Sequence, residues 1–136
     1  MTGVSLQRLP QVRDQRGLLT FAEVEKQIPF DVKRYFLISD VPSKEVRGEH
    51  AHRKLHEILM CVHGRCRVSV DDGQTHQEFV LDDPALALHV HPLMWIGQYG
   101  FTRGAVLLVF CSDKYDAADY IREYSEFYRI KREAAS

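Results

Sequence analysis

The sequence lacks an excess of charge of either sign. Its 136 residues hold 18 lysines and arginines against 19 aspartates and glutamates, a formal net charge of −1. Proteins that bind nucleic acid usually carry a clustered basic surplus, so no such partner is expected. The longest uncharged apolar run, residues 105–111, is far shorter than the roughly 20 residues that a membrane span needs. Residues 1–17 show no signal-peptide core, and we expect a cytoplasmic protein.

Cysteine is also scarce. The three residues, Cys61, Cys66 and Cys111, are irregularly spaced and include no C-x-x-C pair. An odd number in this arrangement does not indicate a disulfide framework, so we interpret them as small buried hydrophobic residues. Histidine is the unusual component, because all seven histidines lie between His50 and His91.

The middle of the chain has the pattern of consecutive strands. Apolar or alternating segments recur at about ten-residue intervals, separated by turn residues such as Asp72-Gly73, a strong hairpin signal. This spacing predicts an all-β sandwich or barrel in a single domain, residues 1–136. The predicted strands are residues 33–39, 57–63, 66–70, 75–80, 85–90 and 105–111.

Only the C-terminal segment, residues 116–131, has a helical pattern. It contains no Gly or Pro, and its large apolar residues recur at roughly helical spacing. One face of such a helix would pack on the barrel. A short turn followed by an independent final helix is the alternative interpretation.

Two pairs of histidines stand two residues apart. Because residues i and i+2 of a strand point to one face, His50 and His52 would project together into the barrel. Two inward imidazoles either ligate a metal or act as acid and base groups near neutral pH. His89 and His91 would also share a face, and the sequence leaves open whether they enter the same cavity. His56, taken singly, is interpreted as an ordinary surface residue.

The string Gly48-x-His50-x-His52, followed by Glu57 and Gly64, resembles the first motif of the cupins, which are double-sheet jelly rolls. Five segments, taken in sequence order, carry a resemblance to a more specific group within the cupins, and this resemblance spans about residues 11–128. Together they resemble the nucleotide-sugar 3,4-ketoisomerases, the WxcM-like group of the cupin superfamily. These segments are residues 14–19, 29–34, 47–56, 71–73 and 112–122.

The resemblance implies a cupin-type double-sheet jelly roll with a short C-terminal helix. Enzymes of this group move the carbonyl of a dTDP-linked 4-keto-6-deoxyglucose from C4 to C3, in deoxysugar biosynthesis for surface glycans or antibiotics. They use no metal and work as dimers, so we expect no cofactor and a homodimer. The reaction passes through an enediol and needs a base and an oxyanion donor. By the family pattern His50 is the base, and His52 is its proton shuttle or the oxyanion donor.

Basic residues near these histidines are candidates for substrate binding. Arg47, Arg53 and Lys54 are expected to meet the diphosphate through charge-assisted hydrogen bonds. Arg16 falls where the family places a residue that bears on the C4 configuration, and an arginine there resembles the galacto-forming members. The remaining candidates for the pocket wall are Glu57, Trp95 and Gln98.

Three positions depart from the family pattern. Ile96 stands where known members carry His or Arg, which leaves the C4 configuration of the product open. Phe36 stands where a Tyr is expected, and Glu57 replaces a usual Gln. The base of the nucleotide and the downstream pathway are also left open.

The departures support two alternative functions. Glu57 is the residue that a metal-binding cupin places in this motif, so the chain could be a metal-dependent enzyme. Its ligands would then be His50, His52, Glu57 and either His89 or His91. The other alternative is a catalytically silent cupin that binds a nucleotide-sugar.

Overall fold

Two five-stranded sheets face each other in the computed structural model, which describes residues 1–135. In chain order the strands are β1 (Val4–Arg8), β2 (Gln11–Asp14), β3 (Gly17–Thr20), β4 (Arg34–Ser39), β5 (Arg47–His52), β6 (Glu57–His63), β7 (Cys66–Asp71), β8 (His76–Leu81), β9 (Leu86–Val90), β10 (Trp95–Tyr99), β11 (Val106–Cys111) and β12 (Tyr120–Ile121), and the helix is α1 (Tyr124–Ala135).

The strand order confirms the predicted double-sheet jelly roll. One sheet runs β1-β9-β6-β11-β4 and the other β12-β5-β10-β7-β8, while β2 and β3 form a separate two-stranded sheet. Every pairing between these strands is antiparallel. Apolar side chains from both sheets meet in one buried cluster, which includes Leu59, Val68, Leu88 and Leu107. Burial of these inner faces stabilises the barrel and leaves its open end for the site.

The N-terminal strands were not predicted. β1 lies at the edge of its sheet, where it pairs only with β9. The β2–β3 hairpin leaves Val12, Leu18 and Leu19 largely exposed. Strands β2 and β3 are mostly exposed, so burial does not require them to alternate apolar and polar residues, and their periodicity is weak.

At the C-terminus the alternative interpretation, a turn followed by an independent helix, is correct. The Asp116 side chain accepts a hydrogen bond from the Ala118 N–H and caps one 3₁₀ turn, residues 117–119. β12 then pairs with β5, and α1 begins at Tyr124 and packs through the fully buried Phe127. Among the described residues, no helix has the length and apolarity needed to cross a membrane.

The three cysteines are free and buried, as predicted. Cys61 and Cys66 belong to the inter-sheet cluster. The Cys111 Sγ lies 3.4 Å from Nη2 of Arg34, which donates to it. The cysteines therefore pack as small hydrophobic residues and cross-link nothing.

Candidate active site

A cavity of about 410 Å³ opens at the end of the barrel beside His50. We call it the His50 cavity. Strands from both sheets contribute to it, because β4 and β6 belong to one sheet and β5, β10 and β12 to the other. Its polar wall consists of Arg34, Arg47, His50, Glu57, Gln98 and Arg122. Three guanidinium groups around one imidazole make this cavity suited to an anionic ligand.

Alternation along β5 brings its two histidines together, as the spacing predicts. The Nε2 atoms of His50 and His52 lie 3.0 Å apart, and the rings are nearly perpendicular, at 84°. The Tyr120 ring packs against both, with centroid distances of 4.9 and 4.4 Å. Two nitrogens at this distance share one proton, so one imidazole donates and the other accepts.

Asp119 extends this pair into a chain of three groups. Its Oδ2 lies 3.4 Å from Nδ1 of His52. The same carboxylate accepts hydrogen bonds from the backbone N–H groups of Lys54, at 2.9 Å, and Leu55, at 3.2 Å. A fixed carboxylate beside Nδ1 favours the tautomer with its proton there, which frees Nε2 of His52 to accept from His50. Among the described residues, Nδ1 of His52 has no hydrogen-bond partner at this distance, so Asp119 acts on His52 through the field of its negative charge.

Burial sets the charge state of these groups. Burial, the neighbouring His52 and Arg122 lower the pKa of His50 to about 3. Burial, Arg34 and Arg122 lower the pKa of His52 to about 4. Both imidazoles are neutral at pH 7 and available to accept a proton. Burial also raises the pKa of Glu57 to about 7, although Arg34 lowers it in part.

Gly48 and Gln98 fit each other across the β5–β10 pair. Gly48 has a φ of +68°, and a Cβ at this position would overlap the side-chain amide of Gln98. Gln98 is only 3% exposed, and within residues 1–135 its Oε1 accepts no hydrogen bond. The oxygen is buried against Gly48, so Gln98 shapes the cavity wall through this close fit.

Trp95 does not line the cavity, contrary to the expectation. Side chains alternate along β10, so Gln98 and Ile96 face the barrel interior while Trp95 faces outward. Its ring contacts Tyr124 and Phe127 of α1, at centroid distances of 5.4 and 5.8 Å. Trp95 therefore anchors the helix on the sheet.

Of the basic residues predicted to bind the substrate, only some lie at the His50 cavity. Arg47 lines the His50 cavity. Arg53 instead forms an ion pair with Glu126 of α1, at 2.9 Å. Arg16 pairs with Asp14 in the β2–β3 turn, and its side chain is 90% exposed. The structure brings neither Arg53 nor Arg16 to the cavity of its own chain, because the helix and the protruding hairpin hold them elsewhere.

Lys54 lies in an adjoining cavity of about 480 Å³, which shares Arg34 and Tyr120 with the His50 cavity. Lys33 and Lys114 stand on the same wall. The adjoining cavity also has acidic residues in its wall, Asp113, Asp116 and Asp119, so its lysines stand in a mixed electrostatic environment.

Sequence reasoning missed the site roles of Arg34, Asp119, Tyr120 and Arg122. These residues stand in segments 29–34 and 112–122, which carry the family resemblance. That resemblance was the only indication in the sequence that they belong to the site. Periodicity could not place them, because β12 reaches β5 across almost seventy residues of intervening chain.

The four-ligand metal site does not assemble. His50, His52 and Glu57 offer three ligand atoms within 4.8 Å of one another. His89 and His91 stack on each other, at 4.3 Å, on the opposite face of the first sheet. Since neither can supply the fourth ligand, the four-ligand set is not formed, and His50, His52 and Glu57 remain together as a group of three.

Comparisons with known proteins agree with this geometry. The family model described as FdtA: WxcM-like, C-terminal matches residues 2–132. A TDP-4-oxo-6-deoxy-alpha-D-glucose-3,4-oxoisomerase from Aneurinibacillus thermoaerophilus is 45% identical over 117 residues, which is 86% of this chain and 84% of the relative.

Solved structures give the same result. The sugar 3,4-ketoisomerase QdtA from Thermoanaerobacterium thermosaccharolyticum, in complex with TDP, superposes with a TM-score of 0.95 at 35% identity, covering 98% of both chains. The WlaRB TDP-quinovose 3,4-ketoisomerase from Campylobacter jejuni has a TM-score of 0.91 at 38% identity, covering 95% of this chain and 99% of that chain.

Proposed function

The chain belongs to the FdtA family, WxcM-like, C-terminal, and is a sugar 3,4-ketoisomerase; we propose that His50 is the base that acts on its dTDP-linked 4-keto-6-deoxyhexose. One observation carries the proposal. His50 is a neutral imidazole in a cavity lined by three arginines, with a second imidazole 3.0 Å away.

The proposed reaction moves protons and leaves the atom count of the sugar unchanged. The imidazole of His50 removes the proton from C3, and the electron pair forms a C3–C4 double bond while negative charge develops on O4. Protonation of O4 gives the enediol, which then takes a proton at C4 while it loses the O3 proton, and this leaves a carbonyl at C3 and a hydroxyl group at C4. A base and an acid in contact, such as His50 and His52, serve both halves of this sequence.

The arginines have two roles in this proposal. Guanidinium groups at Arg34, Arg47 and Arg122 stabilise the charge that develops on O4 and pair with the diphosphate. The bound diphosphate offsets the positive charge that contributes to the low pKa of His50. Burial is the larger cause of that low pKa, so the diphosphate reverses only the part that comes from Arg122.

The reaction is tested by proton NMR of the purified protein with dTDP-4-keto-6-deoxyglucose, with and without EDTA. We expect a 3-keto product at the same rate in both samples, and the spectrum also gives the C4 configuration. Loss of activity in EDTA alone would instead support a metal enzyme using Glu57. Binding without turnover in either sample would indicate a silent nucleotide-sugar-binding protein.

We also propose a homodimer formed through the β2–β3 hairpin. Leu18 and Leu19 are 48% and 60% exposed on this protruding hairpin, and pairing would cover them. Such a dimer offers Arg16 a route to the partner's cavity, since it lies outside the cavity of its own chain. A cytoplasmic location is part of the same proposal, supported by the three free thiols.

Sedimentation equilibrium tests the dimer. Leu19→Ser is expected to weaken dimerisation at least about tenfold, while Val80→Ser, at the β8 edge of the other sheet, leaves it unchanged. The reverse pattern would place the interface at the sheet edge, and a wild-type monomer at all concentrations would contradict the proposal.

A further inference from the structure

A second group of histidines lies away from the His50 cavity. In the β6–β9 pair, Glu57 stands opposite Val90, and Ile58 opposite His89. Because side chains alternate along both strands, Glu57 and Val90 face the interior, whereas His56, His89 and His91 share the outer face. None of these three side chains takes part in the proposed isomerisation.

The three imidazoles converge closely. Nδ1 of His56 lies 3.0 Å from Nε2 of His89, and one nitrogen from each of the three rings lies within 4.8 Å of the others. Two nitrogens bound tetrahedrally to one zinc ion are about 3.4 Å apart, given bonds of about 2.0–2.1 Å. The cluster is thus already near the spacing of a three-histidine ligand set, and small ring rotations complete it.

We propose that His56, His89 and His91 form a binding site for a divalent transition-metal ion of the zinc, nickel or copper class. Imidazole nitrogen is the ligand that these ions prefer, while magnesium and calcium require oxygen ligands. Three protein ligands leave further coordination positions to water.

The surroundings suit a bound ion at the surface. His56 and His89 are half-buried, and His91 is exposed, so an ion can enter from solvent. The Phe30 ring packs beside His56 and His89, at centroid distances of 6.2 and 5.9 Å, and limits the motion of both imidazoles. Preorganised ligands lose less entropy on binding, which favours affinity.

Isothermal titration of untagged, EDTA-treated protein with Zn²⁺ tests the site. We expect one ion per chain from this cluster, and His89→Ala/His91→Ala should weaken its binding at least about 100-fold. The matched control is His63→Ala/His76→Ala, which removes two exposed histidines elsewhere and should leave binding unchanged. His50→Asn tests whether the His50–His52 pair binds the ion instead, and this variant should also leave Zn²⁺ binding unchanged.

Zn²⁺ binding that survives in His89→Ala/His91→Ala, or that is lost in His50→Asn, would overturn the proposal. If the double variant fails to fold, His91→Ala alone removes an exposed ligand and should weaken binding at least about tenfold. Co²⁺ gives a second readout, because imidazole ligands shift its visible absorption away from that of the aqueous ion, whatever number of waters completes the coordination. The wild type should show this shift and His89→Ala/His91→Ala should lose it, and a wild-type spectrum identical to that of aqueous Co²⁺ would contradict the proposal.

Discussion

His52 stands between His50 and Asp119, with its Nε2 3.0 Å from Nε2 of His50 and its Nδ1 3.4 Å from the Asp119 carboxylate. The arrangement links a base that faces the cavity to a carboxylate fixed by two backbone N–H groups. The negative charge beside Nδ1 favours the tautomer of His52 that leaves Nε2 free to accept from His50.

Replacement of Asp119 by Asn tests the tautomer of His52. The carboxylate accepts hydrogen bonds from the backbone N–H groups of Lys54 and Leu55 and places its negative charge 3.4 Å from Nδ1 of His52, and the amide of the variant removes that charge. We expect kcat to fall about tenfold or more, with nucleotide binding changed by less than about threefold. ¹⁵N NMR should show the His52 proton moving from Nδ1 to Nε2.

The surface variant Asp82→Asn is the control for this experiment and should behave as wild type. A normal kcat in Asp119→Asn, with the proton of His52 still on Nδ1, would remove Asp119 as its positioning residue.

Glu57→Gln tests the buried carboxyl group through the pH dependence of stability. The folded pKa of Glu57 is about 7, above its ordinary value of 4.5, so the unfolded chain releases this proton first. The wild type therefore loses stability as pH rises from about 4.5 through 7, whereas the glutamine of the variant has no proton to lose. The melting temperature of Glu57→Gln should exceed that of wild type by a margin that grows across this window.

Exposed Glu45→Gln serves as the control, with a difference from wild type that stays constant with pH. A constant difference for Glu57→Gln as well would show that Glu57 ionises normally in the folded chain.

Gly48→Ala tests the close fit between β5 and β10. Alanine at a φ of +68° is strained, and its Cβ would displace the Gln98 amide. We expect a loss of about 1–3 kcal/mol in the free energy of unfolding, together with reduced activity. Gly104→Ala provides the matched control, because Gly104 has a φ of +77° and only ordinary van der Waals contacts, at 3.7 and 3.8 Å, around its Cβ position.

Gly104→Ala carries backbone strain without the clash and should leave the cavity intact. Equal loss of activity in the two variants would show that the contact with Gln98 does not shape the site.

The sequence predicted the parts of this structure that depend on local pattern. Strand β6 is found at the predicted bounds, since Gly64 ends a continuous buried run, and the i and i+2 spacing correctly paired His50 with His52. Where an element is exposed, as in β2 and β3, the pattern is weak and the strands were missed.

Long-range placement could not be read from the sequence. Arg122 and Asp119 reach the site only because β12 adds to β5, a pairing that no local period encodes. Trp95 was assigned to the pocket from its neighbours in sequence, yet strand alternation turns it toward α1. The likeness to known isomerases identified the family, and the geometry was needed to decide which of its residues share a cavity.

The most direct test of the account is solvent-deuterium incorporation at C3 of the keto sugar by His50→Asn, followed by proton NMR. Asn keeps the size and polarity of the side chain but cannot take up a proton. The account predicts that exchange at C3 is abolished while nucleotide binding stays within a few-fold of wild type, and that His76→Asn, an exposed histidine, exchanges normally. Exchange at the wild-type rate in His50→Asn would show that another group is the base.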